Sequence, residues 1–327
     1  MCDVFFNTDY FPSQPAFART ALDTTPRSPG VSMSAFRYAQ DRLPVGIILL
    51  YFLLDLWVYA TVDSIGWLTV WFLLGIFPKT NVCVWNHNHH HCRTFHNPWL
   101  NRLLEIAYGF QTGMLASTWT LHHIHGHHRH YLDQAQDTSR WQADGQTISV
   151  WRYIAEGIFL TYPRAIAIGR RRPKLLRKYL LELSVSLAIL LALTTYRPLP
   201  ALFVFWLPML ASLIVTMRAT YYHHLELDLE DPMAASRNVV DSKWLNILTG
   251  NIGYHTAHHH KCGLHWSKLP QLHKALEPLI PAHCYTRTVP IYYWIDHLDR
   301  LLRRVCQPLC RRSAFRSRIQ HSTDTTQ

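Results

Sequence analysis

The chain has 327 residues, of which 49% are hydrophobic and only 16% charged, with a net charge of +11. That is little charge for an ordinary soluble domain and argues for a membrane protein. The Lys and Arg flank apolar stretches instead of alternating with aromatics, so the positive balance fits an anionic lipid surface and excludes a nucleic-acid binder as the first reading.

Residues 1–34 have no cationic segment leading into an apolar core, so no cleaved signal is read there, and residues 1–42 are expected to form a mobile tail. Residues 43–77 contain no Lys or Arg and only Asp55 and Asp63 as charges, enough length for two membrane helices joined near Asp63 and Ser64. A second pair is expected over residues 179–216, broken by Tyr196, Arg197, Pro198, Leu199 and Pro200. Residues 98–118 and 149–168 mix aromatic, aliphatic and charged side chains and read as amphipathic helices in the interface. The expected fold is therefore all-α and polytopic: four transmembrane helices in two hairpins, interfacial helices, and a histidine-rich cap.

Arg164, Arg170, Arg171, Arg172, Lys174, Arg177 and Lys178 precede the second hairpin and mark its side as cytoplasmic by the positive-inside rule. Both termini and every histidine cluster then share that face. Residues 43–299 form the membrane domain, and residues 300–327 form a basic tail with seven Arg. The seven cysteines include no C-x-x-C pair; Cys306 and Cys310 are spaced one residue too far, and reduced thiols are expected.

Of the 22 histidines, none precedes His87 and 19 fall between His87 and His273. His87 and His91 make H-x-x-x-H directly after the second span. His123, His127 and His128 make H-x-x-x-H-H, and His255, His258 and His259 make H-x-x-H-H. Spacings of three and four place imidazoles on one side of a helix, where they can converge on a metal. His224 ends the fourth span and approaches the same zone. The neighbours His89, His90, His122, His125, His130, His223 and His260 are set aside on spacing alone.

A single such cluster would read as an adventitious metal-binding run or a transporter loop. Three clusters, each adjoining a membrane helix on one side, favour a built site. Imidazole suits zinc, iron and copper alike. Nine imidazoles exceed the needs of one tetrahedral ion, so two metals are the economical reading. None of the six Glu has a His three residues later, which excludes the carboxylate-bridged di-iron bundle.

With these boxes around two hairpins, the sequence resembles the membrane fatty acid desaturase and hydroxylase superfamily, in its bacterial desaturase-like branch. The resemblance covers residues 43–276. It is most specific in Asn251, Ile252, Gly253, Tyr254, His255, Thr256, Ala257, His258 and His259, continuing to Gly263, Leu264, His265, Trp266, Ser267, Lys268, Leu269 and Pro270. It implies two iron ions held by His87, His91, His123, His127, His128, His224, His255, His258 and His259, with O2 as co-substrate and a fatty acyl chain as substrate. Two departures stand out: Asn88 follows His87 where the family often has Asp or Glu, and Cys262 replaces the usual Pro.

Desaturation is the leading outcome; hydroxylation, acetylenic bond formation and oxidative decarboxylation to a terminal alkene start from the same hydrogen abstraction. Asp228, Glu226 and Asp241 are candidate carboxylates behind the ligands, and Trp85, Trp119 and Trp266 are candidate walls of an acyl tunnel. No haem motif, C-x-x-C pair or dinucleotide fingerprint is present, so electrons are expected from a separate ferredoxin, rubredoxin or haem protein. The chain is read as an integral protein of a bacterial inner membrane rather than of the endoplasmic reticulum. The rival from another class, a non-enzymatic membrane metal transporter or store, would place ligands in mid-span, and the expected spans hold no His.

Overall fold

A computed structural model describes residues 34–302, apart from 291 and 294. The chain divides into the units Met1–Ala35 and Phe36–Gln327, and nearly all described residues lie in the second. Most of the expected N-terminal tail, and all but the first residues of the expected basic tail with Cys306 and Cys310, lie outside the described residues. The described end of the N-terminal stretch is packed: Phe36 bridges to Phe95, and buried Asp41 accepts from Trp266 Nε1 at 2.7 Å.

The described residues are mostly helical. In chain order they form α1 (Arg42–Thr61), α2 (Ile65–His91), α3 (Pro98–Thr112), a π-helix (Trp119–His128), a two-residue antiparallel pair β1 (Gln142–Ala143) and β2 (Gln146–Thr147), α4 (Val150–Arg170), α5 (Pro173–Tyr196), α6 (Pro198–His224, with a π turn at Leu202–Trp206), α7 (Lys243–Thr249), α8 (His255–His260) and α9 (Leu269–Leu276). α1, α2, α5 and α6 are long and apolar enough to cross a membrane. They present Leu53, Trp57, Leu74, Leu181 and Leu191 outward, as lipid-facing helices do, because apolar tails reward exposure that water would penalise.

The capping chemistry explains the two shorter helices. α4 starts where Ser149 Oγ accepts from Arg152 N, and α3 starts where the Asn97 side chain accepts from Trp99 N with Pro98 behind it. α3 stops earlier than expected, at Gly113 with φ +75, a left-handed conformation that glycine adopts without a side-chain clash.

Helix length delivers the histidines. α2 and α6 each have 27 residues, or about 40 Å of helix, against a hydrocarbon layer of roughly 30 Å. The excess is about two turns, and in both helices the histidines occupy the last turns. At the opposite end Arg197, before α6, pairs with Asp63, before α2, so the starts of the two helices meet. α2 and α6 pack on each other and on α3, and their polar contacts are internal. Lys79 Nζ reaches Asp55 Oδ1 at 2.9 Å and Val204 O at 2.9 Å, while Trp71 Nε1 donates to the same Asp55 oxygen at 2.9 Å. Lys79 and Asp55 are buried, and Lys79 lies two residues beyond the span expected from sequence because α2 continues unbroken to His91.

Candidate metal centre

The last turns of α2 present His87 and His91 on one face. The asparagines beside them are anchors. Asn86 Nδ2 donates to Met114 O at 3.1 Å, and Asn88 Nδ2 donates to Thr249 O at 3.1 Å and Gly250 O at 3.4 Å. An amide suits this place and an ionised Asp or Glu does not, because the partners are carbonyl oxygens that need a donor. That accounts for the departure at Asn88.

The second box lies in the π-helix, not the α-helix its spacing suggested. Bonding five residues back, a π-helix brings i+5 within reach of i; an α-helix would set them about 140° apart. His123 and His128 accordingly reach one group of imidazoles, while His127 turns to another. The third box is the short helix α8, entered through Gly253. A Cβ on Gly253 would sit 2.5 Å from Val239 O and 2.5 Å from Asn246 Oδ1, so the backbone passes where no side chain fits.

Ligand atoms of His87, His91, His123, His128 and His258 all lie within 4.8 Å of one another, as do those of His127, His224 and His259. Individual Nε2 pairs are closer: His87 to His123 at 2.8 Å, His91 to His87 at 3.1 Å, and His128 to His258 at 3.0 Å. His255 Nε2 joins the second group at 3.1 Å from His224 Nε2. Imidazole nitrogens bound to a first-row ion at about 2.0–2.1 Å stand about 3 Å apart across a right-angled edge. The nine histidines expected from sequence are thus brought together, all buried, in two adjoining groups.

The donor chemistry fits a metal. His224 Nδ1 donates to Ala235 O at 3.0 Å, and His127 Nδ1 donates to Asp137 Oδ1 at 2.9 Å and Oδ2 at 3.1 Å, so each ring turns a bare Nε2 inward. His127 Nε2 and both ring nitrogens of His259 are buried with no hydrogen-bond partner, a costly state that a bound cation removes. Burial first, and neighbouring imidazoles second, push His123, His128, His255, His258 and His259 well below the ordinary imidazole value. Those rings are neutral at pH 7, the form that binds metal.

The neighbouring histidines lie outside both groups. His89 Nδ1 bonds Thr94 Oγ1 at 2.9 Å with its Nε2 near Arg93 and Glu105, and His90 Nδ1 bonds Thr120 Oγ1 at 2.9 Å. His223 bonds Arg237 O and stacks on His255. His125 and His260 are half-buried and outside both groups, and His122 is buried with its carbonyl accepting from Thr138 Oγ1 at 2.6 Å.

One expectation about the surroundings needs correcting. Behind the ligands stands Asp137, not Asp228, Glu226 or Asp241. Asp228 caps the turn at Glu230 and Asp231, Glu226 bonds Thr147, and among the described residues none of the three bonds a clustered histidine. Of the three tryptophans, Trp119 alone packs on the centre, its ring 5.2 Å from those of His87 and His123. Trp85 donates to Leu248 O and packs edge-on against Trp266, which is bonded to Asp41, so both serve as clamps.

A family model described as fatty acid desaturase matches residues 65–290, a stretch that contains all nine histidines. No curated protein and no solved structure matches the chain.

Proposed function

Because the chain belongs to the fatty acid desaturase family, we propose that it is a membrane di-iron oxidase that introduces a double bond into an aliphatic acyl chain. The observation that carries this reading is the convergence of nine buried imidazoles, seven of them in Nε2–Nε2 contacts of 2.8–3.1 Å. His87, His91, His123, His128 and His258 would hold one ion, and His127, His224, His255 and His259 the other. Two irons bound there supply the means to reduce O2 and abstract hydrogen from an unactivated C–H bond.

The chain's own residues bind, orient and keep dry. Neutral imidazoles leave the ion pair cationic, and burial excludes water that would quench an oxidant. Trp119 stands against the first group and would press an acyl chain toward it. The reaction takes two hydrogens from adjacent carbons; with two electrons and two protons they convert O2 to two waters. The sequence carries no haem motif, C-x-x-C pair or dinucleotide fingerprint, and this reading takes the electrons from a separate ferredoxin, rubredoxin or haem protein.

In this account α1 with α2 and α5 with α6 are membrane hairpins, the protein sits in a bacterial inner membrane, and termini and metal centre face the cytoplasm. The excess Arg and Lys at the histidine end favour that orientation. Residues 1–42 and 300–327 serve as tails to a membrane domain over 43–299.

Expression in a host of defined lipid composition, followed by mass spectrometry of acyl chains and headspace, tests the proposal. New double bonds that vanish in His123→Ala and His258→Ala support it. Unchanged lipids and volatiles, with iron and a working donor present, would sink it.

A further inference from the structure

The two groups of histidines are backed differently. Among the described residues Asp137 is the carboxylate hydrogen-bonded to one of the nine; the other His–carboxylate pairs, His89 with Glu105 and His265 with Asp41, involve rings outside the centre. Two rings in each group have an Nδ1 without a partner, His91 and His128 in the first and His255 and His259 in the second, so the carboxylate on His127 is what sets the groups apart.

The position of Asp137 is built. Its Oδ1 also accepts from Ser139 N at 2.7 Å, closing a local turn, and its own N–H donates to Asp133 O at 2.8 Å. Thr138 between them donates its hydroxyl to His122 O at 2.6 Å, and Arg164 Nη1 holds Thr138 O at 3.0 Å. Gly126 of the π-helix lets this loop approach: a Cβ there would fall 2.5 Å from Thr138 Cγ2. Three consecutive residues therefore lock one carboxylate against one ligand ring.

Resting on the di-iron reading above, we propose that Asp137 is a positioning residue that makes the two ions inequivalent, giving the ion on His127, His224, His255 and His259 the more electron-rich set of ligands. A carboxylate sharing the Nδ1 proton fixes the ring's orientation and increases electron donation from Nε2. A backbone carbonyl, as behind His224, carries no net charge and does so less. The ion in the first group, held by rings of which none is bonded to a carboxylate, is the more electron-poor of the two.

The test loads the full-length protein with 57Fe in detergent and reads its Mössbauer spectrum in wild type and Asp137→Asn. Asparagine can still accept from His127 Nδ1 through its oxygen, so the variant removes charge while keeping orientation. Wild type should give two distinct doublets, and Asp137→Asn should move one and leave the other. Selective loss of one iron, with affinity lowered about ten- to a hundredfold, counts equally for the proposal. A single doublet in wild type, or a variant in which both or neither doublet moves, or both irons are lost, overturns it. Should Asp137→Asn fail to accumulate, Gly126→Ala displaces the same loop and is judged by the same outcomes. A wild type that binds no iron would defeat the di-iron reading itself, a result distinguishable from any of these.

Discussion

His128 and His258 lie 130 positions apart in the chain and bring their Nε2 atoms within 3.0 Å. One belongs to the π-helix and the other to α8, and each has its own scaffold. His258→Ala therefore removes a donor without removing a helix, and should lower iron in the purified protein by half or more while thermal unfolding of the metal-free form shifts little. Iron content and calorimetry on the same preparations check this; a large loss of metal-free stability with iron retained would mean that His258 is structural.

Asp55 and Lys79 pair between α1 and α2 inside the span, at 2.9 Å. Replacing one partner strands a charge in a non-aqueous interior, costing about 3–5 kcal/mol. Asp55→Leu and Lys79→Met should each reduce folded protein sharply, and the double replacement should recover most of it. The yield of monodisperse protein in detergent reports the result, and a double variant as poor as the singles would contradict the assignment.

Glu105 is buried on α3 between Arg93, Arg102 at 2.5 Å and His89. Burial alone would raise its carboxyl, but the His89 hydrogen bond and the Arg93 guanidinium outweigh it and hold the group well below the usual carboxylate range. Its contribution is thus present above the unfolded value near 4.5 and is lost as pH falls. Glu105→Gln should cost about 2–4 kcal/mol at pH 7, read as a lower unfolding midpoint with the iron content of surviving protein unchanged.

The buried imidazoles give the metal-free protein a second dependence on pH. Burial, Arg164 and His127 push His122 down to about 3, and His123, His128, His255, His258 and His259 shift the same way. Above about pH 7.5 these rings are neutral in both folded and unfolded chains and contribute almost no slope. Below it the unfolded chain takes up protons that the folded chain refuses, so stability falls as pH falls. Unfolding midpoints of the metal-free protein should be level above about pH 7.5 and drop progressively from there toward pH 5; a rise as pH falls over that interval would contradict the burial of these rings.

Much of this centre was legible because ligand spacing is local. His87 with His91, and His255 with His259, lie one turn apart and need only a helix to reach one group, whereas His258 on the same short helix turns to the other. The π-helix was not legible: H-x-x-x-H-H permits His123 to pair with His127 by α spacing or with His128 by π spacing, and packing against Thr138 and α4 decides. Asp137 lies ten residues beyond His127 on a loop, where no periodicity points; its one local signal is the Asp-Thr-Ser turn. Lys79 was missed because a charged residue ends an apolar window, although the lone Asp55 within a span already required a partner. The candidates named in place of Asp137, namely Asp228, Glu226 and Asp241, lie near His224 and the third box in sequence, which carries no directional information once a chain turns.

The central claim is that nine imidazoles hold two irons, and metal analysis of the full-length protein purified from iron-replete cells tests it most directly. The account predicts about two irons per chain, about one or fewer in His258→Ala and little zinc in either. One tightly held zinc per chain, unchanged by His258→Ala, would contradict it.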